Sequence, residues 1–332
     1  MIPLVIVEGF LGGAGPFVWG KFEQHLNTSC SETRPVFFAS VGPVSSLHDR
    51  ACELYYQLIG GTVDYGEQHS KAHRHGRYGY KHRNGLYPQW SRDNPLHFFG
   101  HSMGGPTIIK LQYLLKQGYF GGRDHPDMIL SVTTISSPFR GTAIVYTLGE
   151  HIDAAPAVRP WSIGDLIAKA VHIIVYLKPI LPQSLDIWHS ESRSLSFHEI
   201  PFSGFLRELR KSSWATSRDA APFDVTFMAA DEREAKMEGK PNSGTFYRSF
   251  AALMQCFDIV ETFRMTRCRH YPVDQHSKPS VPEPGVWQTQ EVADATHASV
   301  VPLWLSTPRQ KLFWTEVGDW LRKIDGVEGL RK

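Results

Sequence analysis

The stretch Pro95-Leu96-His97-Phe98-Phe99-Gly100-His101-Ser102-Met103-Gly104-Gly105 is a short apolar run that ends in Gly-His-Ser-Met-Gly. It gives way to Thr107, Ile108, Leu111, Leu114 and Leu115 at helical spacing. A serine on a sharp strand-to-helix turn needs glycine two residues before and two after, because side chains there would collide with the adjoining strand and helix. Gly100 and Gly104 provide them. A chance Gly-x-Ser-x-Gly match in a glycine-bearing loop carries neither a strand before it nor a helix after it. Both patterns are present here, so the stretch reads as a nucleophile elbow with Ser102 as the nucleophile.

A chain of 332 residues with ordinary apolar content is long enough for one large α/β core, with or without an inserted cap. The expectation is a single domain over residues 1–332, with an extra segment at about 60–92 and a lid region at about 143–200. The formal charge is +2 and the basic residues are scattered, which argues against nucleic acid as a partner. Four cysteines, Cys30, Cys52, Cys256 and Cys268, are too sparse for a disulfide framework, and no pair has metal-knuckle spacing. The first residues, Met1-Ile2-Pro3-Leu4-Val5-Ile6-Val7-Glu8, lack a basic start and a cleavage-site pattern, and their apolar run is too short to span a bilayer. They read as a core strand, and the expected compartment is intracellular by default.

Leu4 to Val7 is continuously apolar and runs into Glu8-Gly9-Phe10-Leu11-Gly12-Gly13, the pattern of a buried parallel strand followed by a glycine-rich loop. Such glycines serve a tight turn equally well. Paired with the elbow, the loop becomes the second half of an anion hole, formed by the backbone N–H after the nucleophile and one from the loop after an early strand. That nominates Met103 and Phe10. Pro35 to Val41 reads as the next strand. Ala51, Leu54, Tyr55 and Leu58 then mark a helix that Gly60-Gly61 ends. Asp49 stands three residues after Ser46, in a capping-box-like position that explains it as a helix cap. His69, His73 and His75 follow in a segment without clear periodicity. Loop histidines are usually just solvated, but this spacing can offer two nitrogens to one ion, and an aspartate brought near would make an N/O site suited to zinc.

Met128 to Ser136 is β-branched and apolar, the expected strand after the elbow helix. Ile163 to Leu177 is apolar at helical spacing, too short and too charged to span a bilayer, and fits either a buried packing helix or a hydrophobic lid. Phe202 to Lys211 is amphipathic. Phe223 to Met228 and Thr245 to Phe250 read as strands, and Lys311 to Ile324 as a closing helix. Hydrolases with a nucleophile elbow order their triad as serine, acid, histidine, which makes Asp258 the first acid to consider after the last of these strands.

These residues resemble the zinc-containing lipases of staphylococci and thermophilic bacilli. The likeness is carried by Ser45-Ser46 with Asp49-Arg50-Ala51-Cys52-Glu53, Gly60-Gly61-Thr62-Val63-Asp64-Tyr65-Gly66, Gly9-Phe10 and His101 to Gly105. Leu130 to Ile135, Leu185-Asp186-Ile187-Trp188, Trp214 to Asp219, Gly285-Val286-Trp287 and His297 extend it over most of the chain. The resemblance implies an α/β-hydrolase fold, a mostly parallel sheet flanked by helices, with Ile163 to Leu177 as a helical lid. It also implies a serine hydrolase cleaving lipid esters, a triacylglycerol lipase or long-chain carboxylesterase, working as a monomer at a lipid–water interface. The catalytic set becomes Ser102, Asp258 and His297, and the zinc ligands Asp49, His69, His75 and Asp186, with His73 a bystander. The resembled family is secreted. Two departures stand out. The family's acid lies in an Asp-Gly-Ile-Val-like stretch, which here reads Asp258-Ile259-Val260-Glu261 without the glycine and without a long preceding segment, so Asp274 stands behind Asp258 as an alternative. Ser299 and Trp304 replace the carboxylates of the family's calcium site, so no calcium is expected. The shortened acid loop keeps open an impaired relative, and the missing leader keeps open an intracellular short-chain esterase or acyltransferase.

Overall fold

The computed structural model describes residues 1–13, 15, 19–28, 30–122, 124–181, 189–253, 281–293 and 307–329. In chain order the elements begin with β1 (Leu4–Val7), α1 (Phe22–Leu26), β2 (Val36–Ala39), α2 (Leu47–Ile59), β3 (Gly61–Asp64), α3 (Glu67–His73) and β4 (Tyr78–His82). Then come β5 (Leu96–His101), α4 (Gly104–Lys116), β6 (Ile129–Ile135), α5 (Ile144–Leu148) and α6 (Ile163–Leu177). The chain closes with α7 (Phe202–Arg210), α8 (Ala221–Asp224), α9 (Phe227–Ala235), β7 (Phe246–Leu253), β8 (Trp287–Ala293) and α10 (Pro308–Gly329).

Six strands form one sheet in the order β2-β1-β5-β6-β7-β8. Every neighbouring pair is parallel. A parallel sheet must be covered on both faces, which is why its strands are apolar throughout rather than alternating with polar residues. Val5, Val7, Phe98 and Val132 face one layer, where α2 packs through Ala51, Leu54 and Leu58 and α4 through Ile108, Leu111 and Leu115. Leu4, Ile6, Phe99 and Leu130 face the other, against Phe22 of α1 and Trp314, Val317 and Leu321 of α10. Successive strand residues point to opposite faces, so the four residues of β1 serve both cores. Because all strands run the same way, the chain leaves β1, β5, β7 and β8 at one edge of the sheet. Ligands of open α/β sheets bind at that carboxyl edge.

Most predicted elements coincide with the observed ones, and the helix expected at Ile163 to Leu177 has those bounds. One does not. Phe223 to Met228, read as a strand, is helical on both sides of a break, in α8 and α9. Pro222 at the start of α8 lacks an N–H to lose, and the Thr226 hydroxyl accepts the Ala229 N–H as the cap of α9. That capping signal outranks the four aromatic and β-branched residues, Phe223, Val225, Thr226 and Phe227, in this six-residue segment. The segment around the three histidines is also more ordered than its lack of periodicity suggested. It forms α3 and the antiparallel β3–β4 hairpin. Trp287 to Ala293, which carries no strand signal in the sequence, is the edge strand β8. Among the described residues no helix is long and apolar enough to cross a membrane.

Candidate active site and metal centre

Ser102 lies between the last residue of β5 and the first of α4, with φ +53°. A positive φ is uncommon for a residue other than glycine, so the strain must be held by its surroundings. Its own amide is anchored, donating to the Ile135 carbonyl at 3.0 Å. The two flanking glycines are required by contact. A Cβ on Gly100 would come within 2.5 Å of the Gly105 nitrogen, and one on Gly104 within 1.9 Å of the Val7 carbonyl oxygen. No alanine fits at either place.

The loop after β1 closes against this turn, since the position of a Cβ on Gly9 would be 2.7 Å from the Ser102 Cβ. Within the loop, Leu11 donates to the Pro43 carbonyl at 3.0 Å and Gly12 to the Gly9 carbonyl at 3.2 Å. Neither the Phe10 nor the Met103 amide has a backbone acceptor among the described residues. Met103 is the N-cap of α4, where free N–H groups and the helix dipole favour negative charge. Around these amides lie two apolar patches that meet at Phe10. One combines Val44 with Val171 and Val175 of α6 and Trp214, and the other combines Leu47, Met103, Ala221 and Val225. The arrangement offers a nucleophile, two donors for a developing oxyanion and an apolar wall. Asp258, Asp274 and His297 lie outside the described residues, as do Ser299 and Trp304. β7 and β8 nonetheless end at Leu253 and Ala293 on the edge that carries Ser102.

A second cluster sits at the start of α2. Asp49, His69, His75 and Asp219 each present one ligand atom, all within 4.8 Å of one another. His69 Nε2 is 3.2 Å from both Asp49 Oδ1 and Asp219 Oδ1. His75 Nε2 is 3.4 Å from Asp219 Oδ2 and 3.9 Å from Asp49 Oδ1. Bonds of about 2.1 Å in a tetrahedron place ligand atoms about 3.4 Å apart, the spacing seen here. Asp49 Oδ1, His69 Nε2 and His75 Nε2 are buried without an aligned hydrogen bond, a costly state unless something binds them. The donor set fits a divalent cation. His75 Nδ1 is 2.8 Å from the Gly76 carbonyl, which fixes its proton there and turns the Nε2 lone pair into the cluster. The Arg193 guanidinium bridges both carboxylates, at 2.6 Å from Asp49 Oδ2 and 2.7 Å from Asp219 Oδ2, the oxygen that also faces His75 Nε2. Burial pulls the His69 imidazole down, but Asp219 and Asp49 outweigh it and raise it to about 9. Burial likewise pushes the Asp219 carboxyl up, and His69, His75 and Arg193 more than reverse this, leaving it far below the ordinary carboxylate value.

Asp219 is the fourth member of the cluster among the described residues, and Asp186, which the resemblance assigned to the site, lies outside them. The Trp214 to Asp219 stretch carries part of the likeness, but nothing in its spacing says that its last residue folds back onto α2. Of the capping-box reading, half is present, since the cap of α2 is Ser46. The Asp49 N–H is capped by the Ser46 hydroxyl at 3.2 Å while the Asp49 carboxylate belongs to the cluster.

Comparisons with known proteins agree with this fold. A family model described as "Lipase-like, C-terminal domain" matches residues 2–159. The lipase of Staphylococcus hyicus is 30% identical over 282 residues, 76% of this chain and 40% of that protein. Lipase 1 of Staphylococcus aureus is 37% identical over 264 residues, 72% of this chain and 37% of that protein. The chain thus spans well under half the length of these curated relatives. Among solved structures, Staphylococcus hyicus lipase superposes with a TM-score of 0.75 at 22% identity, covering 99% of this chain and 97% of that one. Lipase 1 of Pelosinus fermentans gives a TM-score of 0.65 at 24% identity, covering 96% and 98%.

Proposed function

This chain belongs to the bacterial true-lipase family, and on that footing we propose that it is a serine hydrolase cleaving carboxylic esters of lipids. The observation that carries this reading is Ser102 held at positive φ between β5 and α4, at the carboxyl edge of the sheet and beside two amides without a backbone acceptor among the described residues. Ser102 Oγ attacks the ester carbonyl while His297 takes its proton, and Asp258 orients the imidazole and stabilises its charged form. The carbonyl oxygen becomes an oxyanion held by the Phe10 and Met103 N–H groups. The tetrahedral intermediate collapses as His297 returns the proton to the departing alcohol. Water, deprotonated by His297, then splits the acyl-enzyme to release the fatty acid and restore Ser102.

Lipid as the substrate is supported by α6. Its inner residues Val171 and Val175 pack toward Phe10. Its outer residues Ile163, Leu166, Ala170, Ile173 and Leu177 are all exposed, an apolar stripe of three-, four- and seven-residue steps that a lid can lay on a lipid–water interface. In the cation site, Asp49, His69, His75 and Asp219 would hold zinc, for which two imidazoles and two carboxylates are a closed tetrahedral set. Zinc there supplies folding free energy by clamping α2, α3 and the 214–219 segment, and it takes no part in the ester chemistry.

Hydrolysis rates for p-nitrophenyl esters from acetate to palmitate test the reading. They are expected to rise toward the longer acyl chains. Cleavage of none of them would overturn the hydrolase, and cleavage of acetate alone would overturn the lipid substrate.

A further inference from the structure

Arg50 is wholly buried one residue after Asp49, on the face of α2 turned toward the sheet edge. Its guanidinium reaches three segments at once. Nη2 donates to the Glu8 carbonyl at 2.5 Å, Nη1 to the Gly42 carbonyl at 2.8 Å, and Nε to the Thr107 hydroxyl at 3.0 Å. Thr107 passes the link on, donating its own hydroxyl proton to the Met103 carbonyl at 2.9 Å. Glu8 opens the loop that carries Phe10, Met103 opens α4, and Gly42-Pro43 holds the loop from outside through Leu11. One planar fork therefore joins both halves of the oxyanion hole to the same helix.

We propose that Arg50 is a positioning residue for the Ser102 reaction, its guanidinium and the Thr107 hydroxyl forming a buried strut that sets the spacing of the Phe10 and Met103 amides. The proposal rests on reading Ser102 as the nucleophile and those two amides as its oxyanion donors. The loop is also folded from within. The Glu8 carboxylate accepts the Trp19 indole N–H at 2.7 Å and the Gly13 amide, so Glu8 is held by side chain and carbonyl together. Burial pulls Arg50 down only to about 10, and it stays charged at neutral pH. A lysine here would be a point charge on a flexible stem, unable to meet three acceptors in one plane.

The strut acts on the oxyanion and not on the bound ester, so its loss separates kcat from KM. Arg50→Lys should lower kcat by about 10- to 100-fold, in line with the cost of displacing a catalytic group by about 1 Å. Thr107→Val, which removes the link to Met103 and the acceptor of Arg50 Nε but leaves the charge and its two carbonyl contacts in place, should give a smaller loss in the same direction. KM should stay within about 2-fold, the pattern of an interaction made only in the transition state. A boronic acid forms a tetrahedral anion on a serine and mimics that state. Its inhibition constant should rise in both variants by the factor that kcat falls. Rates are taken per active site, titrated with a fluorophosphonate, so that misfolded protein does not count. Unchanged kcat per titrated site, a loss confined to KM, or unchanged boronate affinity would overturn the strut. Should the parent protein show no turnover, the hydrolase reading fails instead. The strut is then read by amide hydrogen exchange over residues 9–12 and 102–105, which Arg50→Lys must accelerate and which rules the strut out if unchanged.

Discussion

Ser102 is held by contacts on every side, the Ile135 carbonyl behind it, the Val7 carbonyl under Gly104 and Gly9 in front. Strain stored at one residue persists only where the surroundings over-determine it. Asp258 and His297 are proposed as the partners of Ser102 on the resemblance, each following a strand, β7 and β8, that ends at the edge carrying the serine. Asp258→Asn is expected to lower kcat by about 10⁴-fold through loss of histidine orientation. Asp274→Asn should change it by less than about 3-fold, since a carboxylate that orients nothing contributes little. Steady-state kinetics on both variants decides between them, and the reverse ranking would show that the shortened segment recruited Asp274. At this scale the elbow was legible because Gly-x-Ser-x-Gly is a local steric requirement. Asp219 was not, because a ligand set is a property of where four segments meet. Three of its members lay within 27 positions of one another, from Asp49 to His75, and the fourth lay far along the chain.

Helix α2 carries much of the functional architecture in a single turn and a half. Asp49 enters the cation site, Arg50 braces the oxyanion loops, and buried Glu53 accepts the Gly42 amide and the Tyr65 hydroxyl. Its first turn is capped twice, by Ser46 at Asp49 and by Asp224, whose carboxylate accepts the Leu47 amide at 2.6 Å. Clamping α2, α3 and the 214–219 segment together is work for a structural ion. Chelation should therefore lower the melting temperature by at least about 5 °C, because metal binding energy is folding energy here. Elemental analysis should find close to one zinc per chain in protein purified without chelator, and Asp219→Asn should abolish it. Asp186→Asn and His73→Ala should each keep it. Loss of zinc on Asp186→Asn with retention on Asp219→Asn would restore the ligand set implied by the resemblance. The periodic helices α2, α4 and α6 were readable in the sequence because each buries one face. The Phe223 to Met228 segment misled because six residues are too few for a period to show and its caps, Pro222 and Thr226, were the better signal.

Across the whole molecule, α10 is locked to the far end of the sheet by a buried polar chain. The Ser131 hydroxyl lies 2.7 Å from His97 Nδ1, His97 Nε2 lies 3.0 Å from Asp325, and Arg34 donates to Asp325 at 2.8 Å. Serine, histidine and aspartate in this order resemble a catalytic triad, yet His97 and Ser131 are wholly buried. Burial lowers the histidine, which is used as a spacer between strand and helix. Burial pushes the Asp325 carboxyl up, and His97 and Arg34 together overcome this and hold it below the ordinary carboxylate value. A depressed folded value means that the stability it contributes is present above the unfolded carboxylate's titration and is lost as pH falls through the folded one. Asp325→Asn should cost about 1–3 kcal/mol at pH 7. The gap to the parent chain should close below about pH 4, where the parent's carboxylate also protonates. Urea midpoints at both pH values measure this, and a gap that persists at low pH would remove Asp325 as the source. None of this lock was visible beforehand, since His97 and Ser131 read as strand residues and Asp325 follows the predicted helix by one position.

The whole architecture converges on one oxygen atom, the Oγ of Ser102. Treatment with a fluorophosphonate, followed by proteolysis and mass spectrometry of the peptide that contains the elbow, reports on it directly. One adduct per chain on Ser102, absent after Ser102→Ala in protein with an unchanged melting temperature, is the expected result. An adduct on another residue, or labelling that survives Ser102→Ala, would contradict it.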